Sequence, residues 1–240
     1  MYKKLLPLFA VLIMAVAVFA GCGTAVTPGG GDNPGGSTNI VAGKTYYALA
    51  GDGANIGRMT FTTETTGVLQ AFWLQSYGET PDEDVWGWTT HFEFSYTQEG
   101  NTISGIINPQ DPESSLYGPF SVTLNGSKFD FTLSGETLQF CIGSGLTGTY
   151  IASGTSNPSV KIVFTADNTF SFYQLNSGIW VQPSGAAGSY YVDSNNNFFV
   201  GRLGYDWAFE GKVSGSNITV TVTDLSDGSI IESNIVFARQ

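Results

Sequence analysis

The densest run of chemically capable side chains is Glu79-Thr80-Pro81-Asp82-Glu83-Asp84-Val85-Trp86-Gly87-Trp88. Asp82, Glu83 and Asp84 carry the hard carboxylate oxygens that calcium prefers, as do Asp111 and Glu113 further on. Their spacing lacks the D-x-D-x-D-G order of an EF-hand loop, so no metal site and no cofactor is read from them. Trp86 and Trp88 are two residues apart, which in a strand puts both indoles on one face. Such a face could stack on a sugar or another apolar ligand. Trp86, Trp88, Asp82 and Asp84 are therefore the candidate ligand-binding residues. The plainer reading is an acidic, solubilising loop leading into a strand whose tryptophans cap a barrel.

Catalytic sets are scarce. His91 is the single histidine, which excludes a multi-histidine metal site and an H-E-x-x-H motif. No G-x-S-x-G elbow is present, and any triad would need His91 as its base. Strand parity places His91 beside Glu93 on a water-facing side. Gly43-Lys44-Thr45 imitates the tail of a phosphate loop, but position 38 is Thr and a strand follows, so no amide cradle forms. A carboxylate pair for glycoside chemistry is recognised only by its separation in space. Glu93 and Asp82 would be the ones to substitute. Cys141 has no histidine nearby to lower its thiol pKa and reads as structural. No catalytic residue is assigned, and the chain is not expected to be an enzyme.

The elements that must position these groups are short strands. Phe92, Phe94 and Tyr96 alternate with His91, Glu93 and Ser95. Phe129, Phe131 and Leu133 repeat the pattern, as do Val160, Ile162 and Phe164, and Ile218, Val220 and Val222. Gly100-Asn101, Asn125-Gly126, Ser134-Gly135, Asp167-Asn168, Ser214-Gly215 and Asp227-Gly228 mark tight turns between them. Strands joined by tight turns pair antiparallel, as a meander.

The two halves also resemble each other. Thr45-Tyr46-Tyr47-Ala48 matches Thr149-Tyr150-Ile151-Ala152, and Met59-Thr60-Phe61-Thr62 matches Ile162-Val163-Phe164-Thr165. Leu124 to Phe131 matches Val213 to Val220, with Phe120 and Phe209 in register. The expectation is all-β: two tandem up-and-down modules, 40–142 and 146–240, each of about eight strands and so able to close as a barrel. A β-sandwich is the alternative. Trp180 and Trp207 are expected to fill the second module.

Charge narrows the partners. The chain has 9 Lys+Arg against 20 Asp+Glu. An acidic, arginine-poor surface argues against nucleic acid, whose binding rests on phosphate neutralisation.

The N-terminus is a separate device. Lys3 and Lys4 precede the 16 uncharged residues Leu5–Ala20. At about 1.5 Å per residue these span roughly 24 Å, short of the ~30 Å hydrocarbon core, which suits a signal peptide over 1–21. Val18-Phe19-Ala20-Gly21-Cys22 resembles the lipobox of bacterial lipoproteins, apart from Phe19 at a position that is usually Leu, Val or Ile. That resemblance implies that Cys22 becomes the N-terminal residue and carries a diacylglyceryl thioether and further acyl chains such as palmitate. It implies a cell-envelope protein held on a membrane by its lipid, and Gly23 in place of Asp leans to the outer membrane. Acylation of Cys22 would leave Cys141 without a disulfide partner. Residues 23–39 hold almost nothing that could be buried and read as a flexible spacer. Gly145-Leu146-Thr147-Gly148-Thr149-Tyr150 resembles the opening strand of lipocalin- and avidin-like barrels, with Tyr where those have Trp. The functional expectation is a non-catalytic binding or interaction module. The alternatives are a lipocalin-like carrier of a small apolar molecule and a carboxylate-dependent hydrolase.

Overall fold

The computed structural model describes residues 40–49, 55–76, 85–109, 118–133, 135–153, 160–183, 186–203 and 207–240. The expected signal segment and spacer, with Cys22, Asp82, Asp84, Asp111 and Glu113, lie outside that set. Every regular element among the described residues is a strand.

The first eight strands are β1 (Thr45–Leu49), β2 (Ile56–Thr60), β3 (Thr66–Ser76), β4 (Val85–Glu99), β5 (Thr102–Pro109), β6 (Gly118–Thr123), β7 (Lys128–Leu133) and β8 (Glu136–Ser144). Neighbours in sequence pair antiparallel from β1 to β6, β7 pairs with β8, and β8 returns to β1 through Tyr46↔Ile142 and Tyr47↔Cys141. β6 and β7 meet at the turn closed by the Asn125–Lys128 bridge.

The remaining strands are β9 (Gly148–Ser153), β10 (Val160–Phe164), β11 (Thr169–Asn176), β12 (Ile179–Val181), β13 (Ala187–Asp193), β14 (Asn197–Leu203), β15 (Trp207–Ser214), β16 (Asn217–Asp224) and β17 (Ile230–Arg239). Here β9, β10, β11, β13, β14, β15, β16 and β17 pair in that order, and β17 closes back on β9 through Phe237↔Ala152. This is a closed eight-stranded antiparallel barrel. β12 is a short hairpin arm folded back on the end of β11.

Alternation explains where the apolar mass goes. In the second half Tyr150, Ile162, Phe164, Phe170, Phe172, Tyr190, Phe198, Phe209, Ile218, Val220 and Phe237 form one buried cluster. They occupy alternate positions, so one face of every strand turns inward. The first half has its own cluster, including Tyr46, Met59, Phe61, Phe92, Phe94, Tyr96, Phe129, Phe131 and Phe140. Edge-to-face pairs tie these rings together: Phe61 meets Tyr96 at 4.9 Å, and Phe164 meets Tyr190 at 4.6 Å.

The two halves are also joined by sheet. The end of β8 pairs with the end of β13 through Ser144↔Val192 and Gly143↔Asp193.

Trp180 and Trp207 do not fill the second barrel. Trp180 sits half-buried on the β12 arm and Trp207 is 39 % exposed at the start of β15, while phenylalanines take the interior. His91 also departs from the alternation. Leu69 pairs with Phe92 and Gln70 with Thr90, so His91 is an extra residue in a β-bulge. It is half-buried rather than water-facing, and burial lowers its pKa below the ordinary histidine value.

Buried tyrosines give the core a pH limit. Burial, with the nearby Tyr96, pushes Tyr46 from 10.0 up to about 12, and burial raises Tyr190 and Tyr191 further. A folded-state pKa above the unfolded value keeps its stabilisation in full below pH 10 and loses it as pH rises through about 12. Urea midpoints should therefore hold up to about pH 10 and fall steeply above it, with tyrosinate absorbance rising in the same transition. Tyrosinate appearing while the fold stays intact would contradict this.

Candidate functional site

The β4 bulge decides what the tryptophans do. Without it, Trp86, Trp88 and Thr90 would share the inward face with Phe92. The extra residue swings them to the outer wall, opposite Leu74, Phe72 and Gln70 on β3. The two indoles do share a face. Trp86 stacks on Phe72 at 6.3 Å, and Trp88 meets Phe72 edge-on at 5.5 Å. That wall is where the second half docks, not a barrel mouth.

Trp88 is held there from several sides. The Arg58 guanidinium lies 4.1 Å from its ring centroid. Its Nε1–H donates to the Asp167 carbonyl at 3.0 Å, and Arg58 Nη1 donates to the same oxygen at 3.1 Å. Arg58 Nε donates to Gln70 Oε1 at 2.8 Å, and Gln70 Nε2 to Thr90 Oγ1 at 3.2 Å, which fixes the guanidinium plane. Asp167 and Asn168 form the turn between β10 and β11, so this set joins the wall of the first half to a turn of the second.

Beside it runs a row of rings. Tyr47 meets Trp88 at 6.5 Å, stacks on Tyr191 at 5.5 Å with 9° between planes, and Tyr191 stacks on Phe199 at 4.9 Å. With Ile56 these rings make a third buried cluster, separate from the two clusters above. Gly143 makes room for it: a Cβ there would lie 2.5 Å from the Tyr47 ring.

Asn168 locks the row. It is buried and holds φ of 64°, a left-handed conformation that asparagine tolerates better than most residues. Its Oδ1 accepts from Tyr47 Oη–H at 2.9 Å. Its Nδ2 donates to the Ser144 and Tyr190 carbonyls, each at 3.2 Å. Tyr190 N–H in turn donates to the Asn168 carbonyl at 3.1 Å. The Tyr190 hydroxyl accepts from Leu146 N–H and lies 2.6 Å from the Leu146 carbonyl, tying down the 145–147 strap between the halves. At Asp167 burial works to raise the carboxyl pKa. Hydrogen bonds from the Thr165 and Thr169 hydroxyls, aided by Arg58, outweigh it and hold the pKa below the ordinary value.

The other residues singled out above are not brought together. Asp82 and Asp84 lie outside the described residues. Glu93 is exposed on β4 opposite Val68 and Asn108, so its cross-strand partners supply no second carboxylate. Among the described residues no group of three His, Cys, Asp or Glu side chains is arranged to hold a metal. The buried Asp193 carboxylate is satisfied within its own hairpin by Asn195 N, Asn197 N and Asn197 Nδ2. Cys141 is buried on the outer side of β8, and its sulfur is in a disulfide rather than a free thiol. The only other cysteine of the chain is Cys22. A disulfide there and acylation of Cys22 exclude each other.

Sequence reading missed the seam because Tyr47 and Tyr191 sit on the strand faces that alternation assigns to water. The available signal was two adjacent aromatics, Tyr46-Tyr47 and Tyr190-Tyr191, in each half. An aromatic on both faces of a barrel strand asks for a second apolar surface. No family model, no curated protein and no solved structure matches the chain.

Asn168→Ala should cost about 2–4 kcal/mol in urea unfolding, from partners left unsatisfied in the seam plus backbone strain at positive φ. Asn168→Gly, which relieves only the strain, should recover part of that loss. Equal stability of all three proteins would show that the carboxamide carries no structural role.

Proposed function

We propose that the chain is a lipid-anchored protein of the bacterial cell envelope, a non-catalytic binding or interaction module on the outer membrane. The observation that carries this is Val18-Phe19-Ala20-Gly21-Cys22 directly behind a short, uncharged apolar segment with a basic start. The cysteine is then the mature N-terminus, and its acyl chains hold the protein where a single chain would bind only marginally. This reading takes the Cys22 sulfur for the thioether and so makes Cys141 a free thiol, in place of the disulfide described above. Loss of Lys3 and Lys4 with the signal leaves 7 basic groups against 20 acidic ones, a difference of −13. Such a surface leaves membrane attachment to the lipid, not to the protein charge.

The body fits two tandem up-and-down barrels that arose by duplication. Strand correspondence supports this: β1 to β8 align in order with β9, β10, β11, β13, β14, β15, β16 and β17. The matched residues Tyr46 and Tyr150, Phe61 and Phe164, Phe120 and Phe209, and Phe129 and Ile218 all belong to or pack against the two interior clusters.

Packing favours surface recognition over transport of a molecule inside a barrel. The gap between Ile162, Phe164, Phe170, Val200 and Phe209 has no room for a water molecule. At that level of the second half, side chains leave no interior space to lend a ligand. Recognition is then assigned to outer walls and loops, with the acidic 79–84 segment as the foremost candidate, since Trp88 is taken up by the seam.

Intact-mass analysis of the native protein is the test. It should give a chain beginning at Cys22 with added acyl mass, and one thiol, Cys141, alkylated after unfolding without reductant. An unmodified N-terminus would contradict the anchor, and the absence of any alkylatable thiol would put a Cys22–Cys141 disulfide in its place.

A further inference from the structure

The exposed apolar side chains of the second barrel gather at one end. Ile179 (68 % exposed) and Val181 (46 %) lie on β12, Ile230 (66 %) and Ile231 (47 %) open β17, and Trp207 opens β15. β11, β14 and β16 finish at this end, and β13, β15 and β17 begin there. The Asn168 turn and the seam occupy the opposite end. Trp180 lies on the β12 arm between Ile179 and Val181, with Lys161 Nζ 4.9 Å from its ring centroid. The pairings Asn176↔Ile179, Leu203↔Trp207, Trp207↔Asp224 and Thr223↔Ile230 spread these residues around the rim instead of massing them on one flank.

We propose that this rim docks on the surface of the bilayer to which the chain is anchored, an inference that rests on the lipid-anchor reading. Apolar tips set around one plane match a flat, deformable apolar medium. A protein partner of ordinary size would call for one contiguous, shape-matched patch. Indoles at the edge of such a set suit the headgroup boundary, where an apolar body and a polar N–H are both accommodated.

Reach is sufficient. The spacer enters at Ile40, whose N–H donates to Gln98 Oε1 at the end of the first half from which β8 runs on to β13. The 17 residues 23–39 can span at most about 55–60 Å. The eight-residue strands of the second barrel are about 26 Å long. The far rim can therefore turn down to the membrane while Cys22 stays in it. The tether also holds the rim at an effective concentration of millimolar order, so weak partitioning suffices. Asp224, Asp227 and Glu232 stand among the tips, and they select neutral headgroups over anionic ones.

The probe is the whole mature chain carrying Cys22→Ser, mixed with phosphatidylcholine vesicles, so the outcome does not depend on acylation. It should sediment with the vesicles at millimolar lipid, with tryptophan emission shifted to the blue, and anionic lipid should weaken the binding. Ile230→Ser combined with Ile231→Ser should bind about tenfold more weakly at an unchanged melting temperature, because neither side chain belongs to the core. Val181→Ser should weaken binding in the same direction. No sedimentation of the Cys22→Ser chain overturns the proposal, as does equal binding by the double variant. Dimerisation abolished by the same pair of substitutions, without vesicle binding, assigns the rim to a second copy and also overturns it. The native mass separates this from the anchor: acylated Cys22 with an inert rim sinks only the docking, and a binding rim with unmodified Cys22 sinks only the anchor.

Discussion

Asn168 holds a left-handed turn position at 6 % exposure, and a carboxamide so placed must find partners for an acceptor oxygen and two N–H donors. It finds them on three different strands. The acceptor takes Tyr47 from β1, and the donors reach Ser144 on β8 and Tyr190 on β13. Tyr47 and Ser144 belong to the first half of the chain, Asn168 and Tyr190 to the second. A polar group buried this way is costly when its partners move apart. The relative placement of the two halves is therefore specified by a hydrogen-bond set that a merely greasy contact could not specify.

Around that set the apolar surface divides into three. One cluster is buried within each half, and a third, built on Tyr47, Ile56, Tyr191 and Phe199, lies between them. A barrel strand normally pairs an apolar inner face with a wet outer one. β1 and β13 break that rule at the same place, each with an aromatic facing outward, and the two rings stack on each other. The β4 bulge serves the same end by turning Trp88 outward onto Arg58 and the Asp167 carbonyl. Strand pairing between β8 and β13 then carries the sheet across the join.

Much of the barrel architecture was legible from alternation. Phe92, Phe94 and Tyr96, Phe129 and Phe131, Ile162 and Phe164, and Ile218, Val220 and Val222 all face inward as their spacing requires. Asp167-Asn168 was legible as a turn but not as a lock, because what the asparagine amide touches depends on residues 121 positions away. The bulge at His91 was illegible for a similar reason. One inserted residue changes the parity of everything before it, and nothing in the local sequence marks the slip. Trp180 and Trp207 misled because size alone suggests a core role, while the interior was already occupied by phenylalanine. The proposed anchor rests on sequence alone, since a lipidation signal is independent of the fold.

The seam account makes the two halves one cooperative body. Differential scanning calorimetry of the mature chain measures this most directly. A single transition with equal calorimetric and van't Hoff enthalpies is the expected result. Two resolved transitions, each with the enthalpy of one eight-stranded half, would mean that Asn168 and the stacked tyrosines touch without holding, and would contradict the account.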